Sequence, residues 1–100
     1  MREGGKMKRA TTYDAAEFLE TNEDIVAYLN AALDDGDPAL VSAALGDIAR
    51  ARGMTQLAKD TGITRDGLYK ALSPTGNPSF ATVQKVVKAL GYKLGVALPA

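Results

Sequence analysis

The stretch MTQLAKDTGITRDGLYKALSPTGNPSFATVQKVVKAL, residues Met54 to Leu90, decides the fold. Its spacing predicts two short helices joined by a tight glycine turn, then a loop and a third helix. In the first helix Leu57 and Ala58 face inward, Gly62 stands where a helix stops with positive φ, and Ile63 plugs the corner. Thr64 is a natural N-cap for the second helix, whose inward stripe is Leu68, Ala71 and Leu72. Asp66 and Lys70 lie opposite that stripe and Arg65 and Tyr69 flank it, so a helix of about two turns shows polar and aromatic groups to its surroundings.

This layout is that of a helix-turn-helix: a positioning helix, a turn of a few residues, and a recognition helix that enters the DNA major groove. The candidate base-reading residues are Thr64, Arg65, Asp66, Tyr69 and Lys70. Arginine holds guanine through two bonds, lysine reaches a base acceptor or a phosphate, and Thr64 and Tyr69 offer hydroxyl and apolar contact. Asp66 either accepts from a cytosine amino group or pairs with Lys70 four residues on, the pair being the favoured reading. The candidate phosphate contacts are Gln56 and Lys59 on the positioning helix and Asn77 and Ser79 before the later one. Gly67 is out of place in a reading helix; it either permits a close approach or costs stability. The competing interpretation is an αα-corner with no nucleic-acid role.

The distribution of charge favours the DNA interpretation. The formal net charge of the 100 residues is zero, but the signs are segregated. From residue 10 to 49 there are nine carboxylates, Asp14, Glu17, Glu20, Glu23, Asp24, Asp34, Asp35, Asp37 and Asp47, and no Lys or Arg. From residue 50 onward Arg50, Arg52, Lys59, Arg65, Lys70, Lys85, Lys88 and Lys93 outweigh Asp60 and Asp66. Two halves of opposite sign suit two partners of opposite sign: phosphate for the second, a basic protein surface for the first. The alternative is two solvated faces. For the basic partner the candidate contacts are Glu17, Glu20, Glu23 and Asp24.

Composition narrows the classes further. A hydrophobic content of 46% fits one globular domain, and no apolar run is long enough for a membrane span. No signal peptide opens the chain, so a cytoplasmic location is expected. With no Cys and no His, a disulfide, a Cys/His zinc site and a Ser-His or Cys-His nucleophile are all excluded. Neither a metal nor a cofactor is expected, and an enzyme is a remote reading.

Around the central stretch the pattern is helical. Residues 1 to 12 have no apolar period and are expected to form a flexible extension, with Met7 a second candidate start. Residues 13 to 53 should be acidic helices. Tyr13 to Glu20 forms a short helical turn anchored by Phe18 and Leu19. A helix capped by Asn22 follows, with Ile25, Tyr28, Leu29, Ala32 and Leu33 as its stripe, ending at Gly36. Asp37 caps the next, with Pro38 at its first position and Leu40, Val41, Ala44, Leu45 and Ile48 facing in, ending at Gly53. Gly46 inside it is tolerable if another helix crosses closely there. Residues 54 to 90 are the helix-turn-helix core, whose last helix, capped by Ser79, carries Phe80, Val83, Val87 and Leu90.

The tail changes period. Tyr92, Leu94, Val96 and Leu98 alternate with Lys93, Gly95 and Ala97, which predicts a strand over residues 92 to 98. A lone strand leaves its backbone unpaired, so it is expected to pair with its own copy as the dimerisation element of a homodimer. An irregular packed tail, or addition to another protein's sheet, is the alternative. The fold class expected is all-α, a bundle of five to six helices with one short C-terminal β-strand.

At LAKDTGITRDGLYKAL, the loop SPTGNPSFATV and the close KALGYKL, the chain resembles the λ-repressor-like helix-turn-helix group, and within it the addiction-module antidote proteins. Upstream, YDAAEFLETNEDIVAYLNAAL and DPALVSAALGDIARARGM resemble the same group's N-terminal half. The resemblance implies a small dimeric antitoxin that neutralises a basic RelE/ParE-like toxin and represses its own operon by binding double-stranded operator DNA. The alternatives are a phage-type or metabolic repressor without a toxin, and an interaction module that has lost DNA binding.

Overall fold

The computed structural model describes residues 19–99, and every regular element among them is a helix. Five follow in order: α1 Asn22–Asp35, α2 Pro38–Arg52, α3 Met54–Thr61, α4 Arg65–Ala71 and α5 Phe80–Ala89. The expected extension over residues 1 to 12, Glu17, and most of the turn expected from Tyr13 to Glu20 lie outside the described residues. Leu19 is buried and Glu20 exposed.

Each helix begins and ends for a local chemical reason. α1 is capped by Thr21 rather than Asn22: its hydroxyl accepts from the Asp24 N–H at 3.0 Å, and the Asp24 carboxylate accepts from the Thr21 N–H. This reciprocal box satisfies two donors at once, whereas a cap at Asn22 would satisfy one. α1 ends at Gly36 with φ of 84°, and Asp37 caps α2 with Pro38 at the first helical position. Thr64 and Ser79 cap α4 and α5 as their positions in the sequence predict.

All five helices bury side chains in one core. Leu45 and Ile48 from α2, Leu68 from α4 and Val86 from α5 are fully enclosed, with Ile25 and Leu29 of α1 and Leu57 of α3 around them. Full burial of such a side chain contributes roughly 1.5–3 kcal/mol. Gly46 is a packing residue, because a Cβ there would strike the carbonyl oxygen of Leu72, where α4 ends against α2.

Three expectations are corrected. Phe80 is 68% exposed, and the inner stripe of α5 is Val83, Val86, Val87 and Leu90. Spacings of three, one and three keep that set on one face of a 3.6-residue helix; Phe80 shares the face by period, seven residues before Val87, but stands at the first position of α5 and stays in solvent. Leu33 and Leu40, expected inside, are each 44% exposed at the α1–α2 corner. Residues 92–99 form no strand: among the described residues the segment has no neighbour to pair its backbone, apart from the Tyr92 N–H, which donates to the Val87 carbonyl at 3.0 Å. Among the described residues no helix is long and apolar enough to cross a membrane.

Candidate nucleic-acid interface

The turn between α3 and α4 is Gly62–Ile63–Thr64. Gly62 takes φ of 76° and its N–H donates to the Ala58 carbonyl at 2.9 Å, closing α3 in a conformation that a Cβ would disfavour. The Thr61 hydroxyl donates to the Leu57 carbonyl at 2.8 Å and accepts from the Ile63 N–H at 3.2 Å, so the corner's backbone is satisfied locally. Ile63 packs partly buried against the core. The chain then enters α4 through Thr64, whose hydroxyl accepts from the Gly67 N–H at 3.0 Å. A Cβ on Gly67 would lie 3.0 Å from that hydroxyl and 3.3 Å from the Ile63 methyl. Gly67 therefore makes room for the cap and the plug, and it lies in the first turn of α4 rather than its middle.

Leu68 and Leu72 anchor α4 in the core, which fixes where its other side chains point. Arg65, Asp66, Tyr69 and Lys70 are all exposed. Asp66 and Lys70 form the expected i, i+4 ion pair, with Nζ 3.4 Å from Oδ2 and both side chains about four-fifths in solvent. The Arg65 guanidinium lies 5.9 Å from the centre of the Tyr69 ring. A cation over an aromatic face keeps its donors available in a way that a salt bridge does not. Thr64, Arg65, Asp66, Tyr69 and Lys70 thus come together on one anchored element.

The four candidate phosphate contacts are more dispersed, and none is hydrogen-bonded to the α4 set. Gln56 donates to Asp60 at 2.9 Å within α3, and Lys59 is exposed in the last turn of that helix. Asn77 is exposed, and the Ser79 hydroxyl is engaged as the cap of α5, accepting from the Thr82 N–H at 3.1 Å. The loop leading to them folds back tightly, since a Cβ on Gly76 would strike the carbonyls of Lys70 and Ala71.

Tyr92, expected to pair with a second copy, is committed within the chain. Its hydroxyl donates to Asn22 Oδ1 at 2.7 Å and accepts from Arg52 Nη2 at 2.9 Å, and the Arg52 guanidinium lies 5.5 Å from the ring centre. Arg52 Nη1 also donates to the Leu90 carbonyl at 2.9 Å. One arginine thereby clasps the end of α5 and, through Tyr92, the start of α1. These residues are distant in sequence, and no local signal in the chain announces the clasp. Leu94 lies near Ile25, Leu29 and Leu33 of α1, whereas Val96 and Leu98 are almost wholly exposed. Glu20, Glu23 and Asp24 are exposed, with Asp24 also in the α1 capping box.

Sequence reasoning passed over a second cationic feature. Lys85, Lys88 and Lys93 line a surface groove of about 520 Å³ between α5 and the tail, together with Gln84 and Tyr92. The three-residue spacing of Lys85 and Lys88 on a helix was the available signal. Among the described residues no cluster of carboxylates could hold a metal ion.

A family model described as "Probable addiction module antidote protein" matches residues 9–98. An uncharacterised protein of Haemophilus influenzae (strain ATCC 51907 / DSM 11121 / KW20 / Rd) is 57% identical over 84 residues, covering 84% of this chain and 87% of that protein. No solved structure matches the chain. With nearly the whole length from residue 9 to 98 matched, the chain belongs to the family of probable addiction module antidote proteins.

Proposed function

We propose that this antidote protein is a DNA-binding antitoxin: a homodimer that represses its own operon through α3 and α4, acting as a helix-turn-helix, and that neutralises a small basic toxin of the RelE/ParE kind in the cytoplasm. The observation that carries the DNA half is α4 itself. Leu68 and Leu72 are held in the core while Arg65, Tyr69 and Lys70 stand in solvent, behind a cap and a glycine turn that fix the helix's direction. In the proposed complex Arg65 holds guanine by two bonds, and Lys70 leaves Asp66 for a base or phosphate. Gln56, Lys59, Asn77 and Ser79 contact the phosphates, the last through the start of α5.

The toxin half rests on family membership and on charge. Between residues 19 and 49 every charged side chain is a carboxylate, which suits a cationic partner. The exposed Val96 and Leu98 are the surface offered for a second copy, since pairing two tails would satisfy their backbones and bury their side chains.

The test is retardation of the DNA upstream of the chain's own reading frame. Binding should weaken steeply as salt rises, and Arg65→Ala should cost about 1–3 kcal/mol, equivalent to about 5- to 150-fold in affinity. Salt-independent binding, or an Arg65→Ala variant that binds as tightly as the parent, would refute the DNA half. Co-purification with a small basic neighbour separates an antitoxin from a plain repressor.

A further inference from the structure

We propose that the corner where α1 meets α2 is the toxin-docking site, and that it takes a cationic amphipathic helix whose apolar side chain enters the groove between the two helices. The groove is lined by Tyr28, Ala31 and Asp35 of α1 and by Leu40, Ala43 and Ala44 of α2, and encloses about 230 Å³. Its walls are mostly apolar, the small alanines open it, and Leu40 is 44% exposed at its edge. That volume suits one or two aliphatic or aromatic side chains, not a second domain.

The rim selects the partner's charge. Asp34 and Asp35 are exposed in the last turn of α1, and Asp37 follows them as the cap of α2. The C-terminal end of a helix carries partial negative charge, so carboxylates there oppose the helix's own field, and no basic residue occupies that turn to offset them. Asp37 has a structural role as a cap, but Asp34 and Asp35 have none within the fold: among the described residues neither is paired with a cation. An apolar slot beside two locally unfavourable carboxylates is complementary to a helix carrying Leu, Ile or Phe flanked by Lys or Arg. Such a helix would cancel the repulsion as it docked. This places the main grip at the end of α1 opposite to Glu20, Glu23 and Asp24.

The inference rests on the antitoxin reading, and its test separates the two. The full chain is co-expressed with the protein encoded by the adjacent reading frame, and the dissociation constant of the purified pair is measured by titration calorimetry. Two groove variants are compared with the parent: Leu40→Asp, and the double change Asp34→Lys with Asp35→Lys. Both put a charge where the local helix dipole favours it, so the fold should persist. Each should weaken the complex at least tenfold, while the double change Glu20→Lys with Glu23→Lys leaves it within about threefold. All three should retain operator DNA as the parent does. Groove variants that bind like the parent while the Glu20 and Glu23 variant loses the partner would overturn the site and leave the antitoxin reading standing. No complex with the parent chain would overturn both, and loss of DNA retention in the groove variants would mean that the corner acts through the fold and not through docking.

Discussion

Helix α4 and the tail over residues 92–99 are nearly equal in length, seven residues against eight, and both show side chains to solvent. They reach that state in opposite ways. α4 satisfies its backbone internally, takes its cap from Thr64, and leaves Arg65 and Tyr69 outside because Leu68 and Leu72 are inside. Among the described residues the tail has no backbone partner beyond Tyr92, and Val96 and Leu98 stand outside with nothing there to cover them. Polar side chains held out on an anchored helix form a surface ready for a ligand; apolar ones held out on an unpaired segment need a partner to complete them.

The largest expected contrast is in stability. Leu68→Ala removes a fully buried side chain and should cost about 2–5 kcal/mol in urea unfolding. At concentrations where the chain is monomeric, Leu98→Ala should stay within about 0.5 kcal/mol, as its side chain is almost wholly exposed in the single copy. Equal effects at the two positions would dissolve the distinction between the regions. Next comes association: changing Val96 and Leu98 together to Asp should leave the unfolding of the monomer unchanged while shifting sedimentation from dimer to monomer. A dimer that survives this double change would show that the tail is not the contact between copies.

A smaller effect tests how α4 is held. Thr64→Ala removes the hydroxyl that caps Gly67 and should cost about 1 kcal/mol, with faster amide exchange confined to the first turn of α4. Smallest is Asp66→Asn, which breaks an exposed pair worth about 0.2–0.5 kcal/mol, an effect that added salt should abolish. Loss of more than this would mean that the pair has a structural role.

Local rules explain what was legible in the sequence. Gly36 and Gly62 as stops, Asp37, Thr64 and Ser79 as caps, and the Asp66–Lys70 pair are decided within four residues, so spacing alone reveals them. Thr21 and Asn22 are both good caps standing side by side, and only the carboxylate of Asp24 three residues after Thr21 decides between them. Phe80 misled because Phe80, Val83 and Val87 share a helical period as well as Val83, Val86 and Val87 do; the choice is made by what α5 packs against. The Arg52–Tyr92–Asn22 clasp joins residues 40 and 70 positions apart, and such a link is invisible to any local pattern. The strand failed for the same reason: alternation states a preference, and a ladder requires a neighbour.

The most direct measurement is a hydroxyl-radical footprint of the parent chain on the DNA upstream of its reading frame. Two copies presenting α4 to successive major grooves should protect two patches on one face of the duplex, with centres about one helical turn, roughly 34 Å, apart. The Arg65→Ala chain should lose both patches together. A single isolated patch, uniform protection without spacing, or a footprint indifferent to Arg65 would contradict the claim that a pair of α4 helices reads this DNA.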